Sequence, residues 1–177
     1  MIIWLTGISG AGKTTLSKNL LKVLNNNKYR FVSLDGDEVR ELFGKDLGYS
    51  LPDRIKQIKR IQNLCKFLDN QKIDVIASAL YFSEEISSWN RKNFSSYYEI
   101  YIKTSLEMVS TADVKGIYER YNAGKEKNVV GVDIKWIEPQ EPFLVLDRDM
   151  GIKKEQMVQK ILDNIPDFIS MQINEKN

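Results

Sequence analysis

The first residues with chemistry in them are eight in a row near the start of the chain, Gly7-Ile8-Ser9-Gly10-Ala11-Gly12-Lys13-Thr14. Glycines at this spacing free successive backbone N–H groups to point inward at phosphate oxygens. The lysine ammonium can reach the outer phosphates of a nucleoside triphosphate, and the threonine hydroxyl can ligate Mg²⁺. A second group follows at Asp35-Gly36-Asp37-Glu38-Val39-Arg40. One of its two aspartates can organise a metal ion or its waters while the other accepts a proton from an attacking hydroxyl, and the residues alone leave open which does which. Arg40, about one helical turn beyond Asp37, can clamp an anionic acceptor. The chain has no histidine, so phosphoryl chemistry here falls to carboxylates, lysines, arginines and a bound metal.

These groups need elements to hold them. Ile2–Leu5 reads as a buried strand ahead of the glycine loop, and Thr15–Leu21 as the opening of a helix whose positive end faces the phosphates. Further strands are expected at 30–34, 75–80, 98–102 and 143–146, so the aspartate pair lies at a strand's C-terminal end, where open α/β sheets bind ligands. Ile55, Ile58, Ile61, Leu64, Cys65 and Leu68 recur at helical spacing behind Ser50-Leu51-Pro52-Asp53, a capping serine with proline in the first turn. A last helix is expected over 155–164, stopped by Pro166 and followed by a polar, frayed tail. Asn25-Asn26-Asn27 reads as a turn. The stretch 121–142 is weakly periodic, and so long an irregular segment suggests a functional loop or lid. Strands alternating with helices predict an α/β fold with a parallel sheet, in one domain over residues 1–177.

Composition narrows the classes. Lysine and arginine number 26 against 24 acidic residues, a balance that argues against a nucleic-acid polymer as partner. The single cysteine, Cys65, cannot form an internal disulfide and sits in an apolar pattern, so it reads as a buried structural thiol in a reducing, cytoplasmic setting. No apolar stretch reaches membrane-spanning length, and none precedes the first strand as a leader would. A GTPase switch fits poorly. The nearest string to its guanine-selecting N-K-x-D is Asn27-Lys28-Tyr29-Arg30, and Asp113-Val114-Lys115-Gly116, though it matches D-x-x-G, follows a helical pattern. A nucleotide-binding module without turnover is a third reading, opposed by Lys13, Thr14, Asp37, Arg40 and Lys115 all being present.

With these residues in view, the chain resembles the adenylyl-sulfate kinase family over almost its whole length. Trp4–Leu16 is similar to the family's opening, Leu34–Arg40 to its L-D-G-D-x-x-R, and Asp46–Ser50 with Asp53-Arg54 to D-L-G-[FY]-S-x-x-D-R. Asp113–Tyr118 is similar to D-[VP]-K-G-L-Y, and Gly131-Val132-Asp133 with Glu138-Pro139 to G-I-D-x-x-Y-E-x-P, with Trp136 at the tyrosine. The resemblance implies a P-loop kinase fold, a five-stranded parallel sheet flanked by helices with a mobile lid at about residues 112–142, working as a homodimer. It implies phosphorylation of a nucleotide ribose 3′-hydroxyl by MgATP. Gly7, Ser9, Gly10, Ala11, Gly12, Lys13, Thr14 and Thr15 would hold ATP, and Thr14 with Asp35 would hold the metal. Lys13, Asp37 and Lys115 would be catalytic, Asp37 meeting the acceptor hydroxyl and Lys115 riding in the lid. Asp37, Arg40, Tyr49, Arg54, Gln57, Leu80, Tyr81, Phe82, Lys115 and Val129 would face the acceptor.

Departures from the family pattern gather at that acceptor wall. The family's adenine lies between two aromatic rings, of which the first survives as Tyr49 while Val129 stands where the second, a phenylalanine, would be, a loss of about 1–3 kcal/mol if that stacking were used. Gln57 replaces an asparagine, Ala112 an arginine, and Tyr81-Phe82 a serine-proline pair whose following arginines are also absent. Tyr81 and Phe82 could re-form a base platform of another shape. The altered wall suggests a changed acceptor, such as cytidine 5′-diphosphoramidate in capsule modification. The alternative is an adenylyl-sulfate kinase proper, serving sulfate assimilation.

Overall fold

Strand β1 (Ile2–Thr6) has every residue buried because helices cover both faces of its sheet. The computed structural model describes residues 1–26 and 29–168. After β1 come α1 (Lys13–Asn26), β2 (Phe31–Asp35), α2 (Gly36–Leu42), α3 (Leu51–Asn70), β3 (Asp74–Ala79), α4 (Glu84–Asn93), β4 (Tyr97–Lys103), α5 (Leu106–Ala112), α6 (Ile117–Asn122), β5 (Leu144–Asp147) and α7 (Lys154–Asn164). All five expected strands are present, each within a residue of its expected place, in one parallel sheet of order β2-β3-β1-β4-β5. The order reverses beside β1, so its C-terminal edge opens into the crevice where a ligand fits.

Alternation along the strands builds two cores. Ile3 and Leu5 pack with Leu16, Leu20 and Leu24 of α1 and with Met157 and Ile161 of α7. Ile2 and Trp4 face the other way, onto Ile58, Ile61 and Cys65 of α3 and Ile86 of α4. Cys65 is fully buried, and burial pushes its thiol up to about 12, far from a nucleophile's range. Ser50 caps α3, its hydroxyl accepting from the Asp53 amide and donating to the Asp53 carboxylate.

Some boundaries differ from the sequence reading. Asn25 and Asn26 belong to the last turn of α1, and the Asn25 side chain accepts from the Phe31 amide; Asn27 lies outside the described residues. The tail beyond Phe168 lies outside them too. Asp35 ends β2 and also caps α2, accepting from the Asp37 amide at 2.9 Å. The segment expected to be irregular begins inside α6; beyond it only an isolated bridge, Val130 to Ile134, interrupts the loop before β5. Among the described residues no helix is long and apolar enough to cross a membrane.

Candidate active site

The glycine loop fits because β4 runs beside it. A Cβ on Gly7 would lie 2.7 Å from the Ile102 carbonyl oxygen, so only glycine fits, and Gly12 holds a φ of 98° that L side chains disfavour. Lys13 Nζ donates to the carbonyls of Gly7 (2.7 Å) and Ile8 (2.9 Å). Burial, reinforced by the Lys115 ammonium, pushes Lys13 down to about 7, against the smaller pull of Asp35 and Asp37. Its cation is held where little water can stabilise it, and phosphate oxygens would supply what is missing.

Across the loop, Thr14 Oγ1 donates to Asp35 Oδ2 at 2.8 Å. Asp35 is buried and Asp37 exposed. Asp37 Oδ2 accepts from Lys115 Nζ at 2.8 Å, joining α2 to the segment before α6. Partial burial pushes the Asp37 carboxyl up, but the Lys115 hydrogen bond and charge, with Lys13 and Arg40, outweigh it and hold the group below the usual carboxylate range. Burial likewise pushes Lys115 down, and Asp37 carries it above the usual lysine value. Thr14 and Asp35 offer hard oxygen donors side by side. Among the described residues no cluster of three or more acidic or cysteine side chains could hold a metal alone. That donor set suits Mg²⁺, which takes one or two protein oxygens and completes its shell with phosphates and water.

Two arginines define the other half. Arg40 and Arg54 are each 7% exposed, and neither makes an ion pair with a carboxylate among the described residues. Arg40 Nη1 donates to the Leu47 and Gly48 carbonyls. Arg54 donates through Nε to the Tyr49 carbonyl and through Nη2 to that of Asn128. Both guanidinium groups lie against the Tyr49 ring, 4.7 and 5.5 Å from its centre. Burial and the neighbouring Arg40 charge lower Arg54 from its ordinary value. Gln57 is pinned, donating to the Gly36 carbonyl and accepting from Arg60.

One cavity of about 550 Å³ joins these halves. The loop from Ser9 to Thr15 floors it, and Asp35, Asp37, Arg40, Tyr49, Arg54 and Gln57 form one side. Leu80, Tyr81, Lys115 and Val129 close it. Gly7 is not on the wall; it enters only through the carbonyl that Lys13 holds. Phe82 corrects the sequence reading. Its ring is 2% exposed and lies off the cavity, whereas Leu80 and Tyr81 before it stand on the wall. A platform of both rings is therefore not formed. The sequence reading also missed Arg148, whose Nη1 donates to the Gly10 and Ala11 carbonyls at 3.2 Å each. Its place just past β5 was the available signal. Arg120, Lys127 and Asn128, also on the wall, fall in the segment expected to be the lid but were not singled out as site residues.

A five-stranded parallel sheet with a phosphate loop after its central strand β1 and a carboxylate at the end of the edge strand β2 is the fold of a P-loop kinase. The profile described as adenylylsulphate kinase matches residues 1–147. The cytidine diphosphoramidate kinase of Campylobacter jejuni is 36% identical over 164 residues, spanning 93% of this chain and 95% of its own. The adenylyl-sulfate kinase of Gloeothece citriformis is 35% identical over 163 residues, 92% of each chain. In structure, Mycobacterium tuberculosis APS kinase in complex with AMPPNP and APS superposes with a TM-score of 0.85 at 26% identity, covering 92% of this chain and 95% of that one. This chain belongs to the adenylylsulphate kinase family. It is a nucleotide kinase.

Proposed function

We propose that the chain transfers the γ-phosphoryl group of MgATP to the ribose 3′-hydroxyl of a small anionic nucleotide, and that the acceptor is cytidine 5′-diphosphoramidate. The observation that carries the anionic acceptor is the pair Arg40 and Arg54, two buried cations with no ion pair to a carboxylate among the described residues, which line the cavity opposite the phosphate loop. Buried charges are retained when something pairs with them. For the base, the wall offers the Tyr49 ring and an aliphatic Val129, which suits a pyrimidine better than a purine sandwiched between two rings. The similarity to a cytidine diphosphoramidate kinase supports the same reading.

In this reading the loop amides and Lys13 hold the triphosphate, and Thr14 and Asp35 would hold Mg²⁺, which would supply neutralisation of the phosphate charge. Arg40 and Arg54 grip the acceptor's anionic group, bringing its 3′-hydroxyl to Asp37. The hydroxyl oxygen bonds to the γ-phosphorus as the bond to the bridging oxygen breaks; ADP leaves, and the hydroxyl proton passes to Asp37. A carboxylate held below its usual range is a weak base, which suffices because a loose transition state releases the proton late. The segment 112–142 serves as the lid, bringing Lys115 to the site and excluding water.

The test is to incubate the protein with MgATP and, separately, cytidine 5′-diphosphoramidate and adenosine 5′-phosphosulfate, locating the new phosphate by phosphorus NMR. Turnover of the cytidine compound at the 3′ position is expected; fast turnover of the adenosine compound alone would overturn the acceptor assignment. We read the working form as a cytoplasmic homodimer, on the family resemblance and the reduced Cys65. Light scattering should then give about twice the 20.5 kDa chain mass.

A pH effect follows from Lys13. With its ammonium near 7 in the free protein, ATP phosphates raise that value on binding, so above pH 7 the complex takes up a proton. Affinity should fall as pH rises through 7, by at most about tenfold per unit. Calorimetry at pH 8 in two buffers of different ionisation enthalpy should show the uptake in wild type and lose it in Lys13→Ala. Equal heats in both buffers for wild type would remove the effect.

A further inference from the structure

Lys115 reaches Asp37 from a segment with little regular structure, so something must hold its backbone. Asp113 accepts from the amides of Tyr118 and Glu119, starting α6, and the Tyr118 hydroxyl donates to the Ser9 carbonyl at 3.1 Å. This pins α6 to the phosphate loop. The second tie is Arg120. Its Nη1 donates to the carbonyl of Lys115 itself at 3.0 Å, while Nε and Nη2 each lie 3.2 Å from Glu126 Oε2. The turn between them leaves the guanidinium close: Gly116 has a φ of 62°, and a Cβ there would lie 3.1 Å from Arg120 Nη1.

We propose that Arg120, held by Glu126, is a positioning residue that sets where the Lys115 ammonium stands over Asp37. The proposal deepens the reading above and rests on Lys115 acting in the transfer. A planar guanidinium makes both contacts at once, to a carbonyl on one side and a carboxylate on the other; a lysine at the same place makes one well. Displacing a catalytic group by about 1 Å can cost about a hundredfold in rate.

Two measurements test it. The first is the titration of the Lys115 ammonium, followed by NMR in the free protein. Asp37→Ala should move it downward, and Arg120→Ala should move it the same way, since the ammonium no longer stands over the carboxylate. The second is a double-mutant cycle with the acceptor that the paired assay selects. Arg120→Ala alone should lower kcat by about a hundredfold, with the KM for ATP changed far less. In a Lys115→Ala background it should add almost nothing. Arg120→Lys should recover part of the loss, and Glu126→Gln, a milder change, should lower kcat in the same direction. If Arg120→Ala leaves the Lys115 titration unchanged while Asp37→Ala shifts it, the proposal fails. It fails equally if the full Arg120 effect persists without Lys115. Wild-type turnover by Lys115→Ala removes that lysine from the mechanism, an outcome distinct from the failure of Arg120 to position it.

Discussion

Lys13→Ala should lower kcat by about 10³-fold, the scale of losing one preorganised charge contact to a transferring group, while the melting temperature holds or rises. The two outcomes have one cause. Burial and the Lys115 charge hold the Lys13 ammonium near 7, below its value of 10.5 in a free lysine. The unfolded chain therefore binds this proton more readily than the folded one. By linkage, that opposes folding below pH 7, and the opposition fades as pH climbs from 7 toward 10.5. Removing the ammonium relieves the penalty, at the expense of two hydrogen bonds to carbonyls of the loop. Stability should depend less on pH over that range in the variant, which thermal melts at pH 7 and 9 can read. A variant with wild-type kcat would remove Lys13 from the transfer step; a large drop in melting temperature would show the ammonium to be a structural support instead.

Asp37→Asn is the second large effect: kcat should fall by about 10²–10⁴-fold, the span of a positioned acid or base. Asparagine keeps the size and can still meet the acceptor hydroxyl, but it cannot take the proton. The fold should survive. Asp37 is exposed, and its pair with Lys115 is the kind of surface contact that contributes under about 1 kcal/mol. The carboxyl is held below its usual value, so what stability it lends is present at neutral pH and is lost only as pH falls below the ordinary value of 3.8. Melting curves of wild type and variant should therefore coincide closely at pH 7. Asp35→Asn provides the contrast. Asp35 is buried, caps α2 and accepts from Thr14, so this change should cost stability as well as rate.

Much of this was legible without coordinates in space. The phosphate loop is contiguous, and the spacing of its glycines, lysine and threonine is readable from eight successive residues. Strands β1 to β5 announce themselves because each is a short apolar run between turns. Ser50 was recognisable as a helix start because capping is local. The acceptor wall was harder. Tyr81 and Phe82 are adjacent in a chain segment that leaves the sheet, and nothing in their order says which ring enters the cavity and which the interior. Arg40 and Arg54 were read as gripping an anion; that several of their donors also hold the loop that carries Tyr49 was not legible.

Donor chemistry and strand placement came from short-range pattern: contiguous motif, periodicity and caps, each governed by residues a few positions apart. Only the tertiary structure joined Lys115 to Asp37 across 78 residues, Arg54 to Asn128 across 74, Tyr118 to Ser9 across 109 and Arg148 to Gly10 across 138. Such contacts depend on where parallel strands deliver their following loops. That is set by the packing of two helical layers on the sheet, and no local preference encodes it. The phosphate loop needed its own eight residues; the wall facing it needed the whole fold.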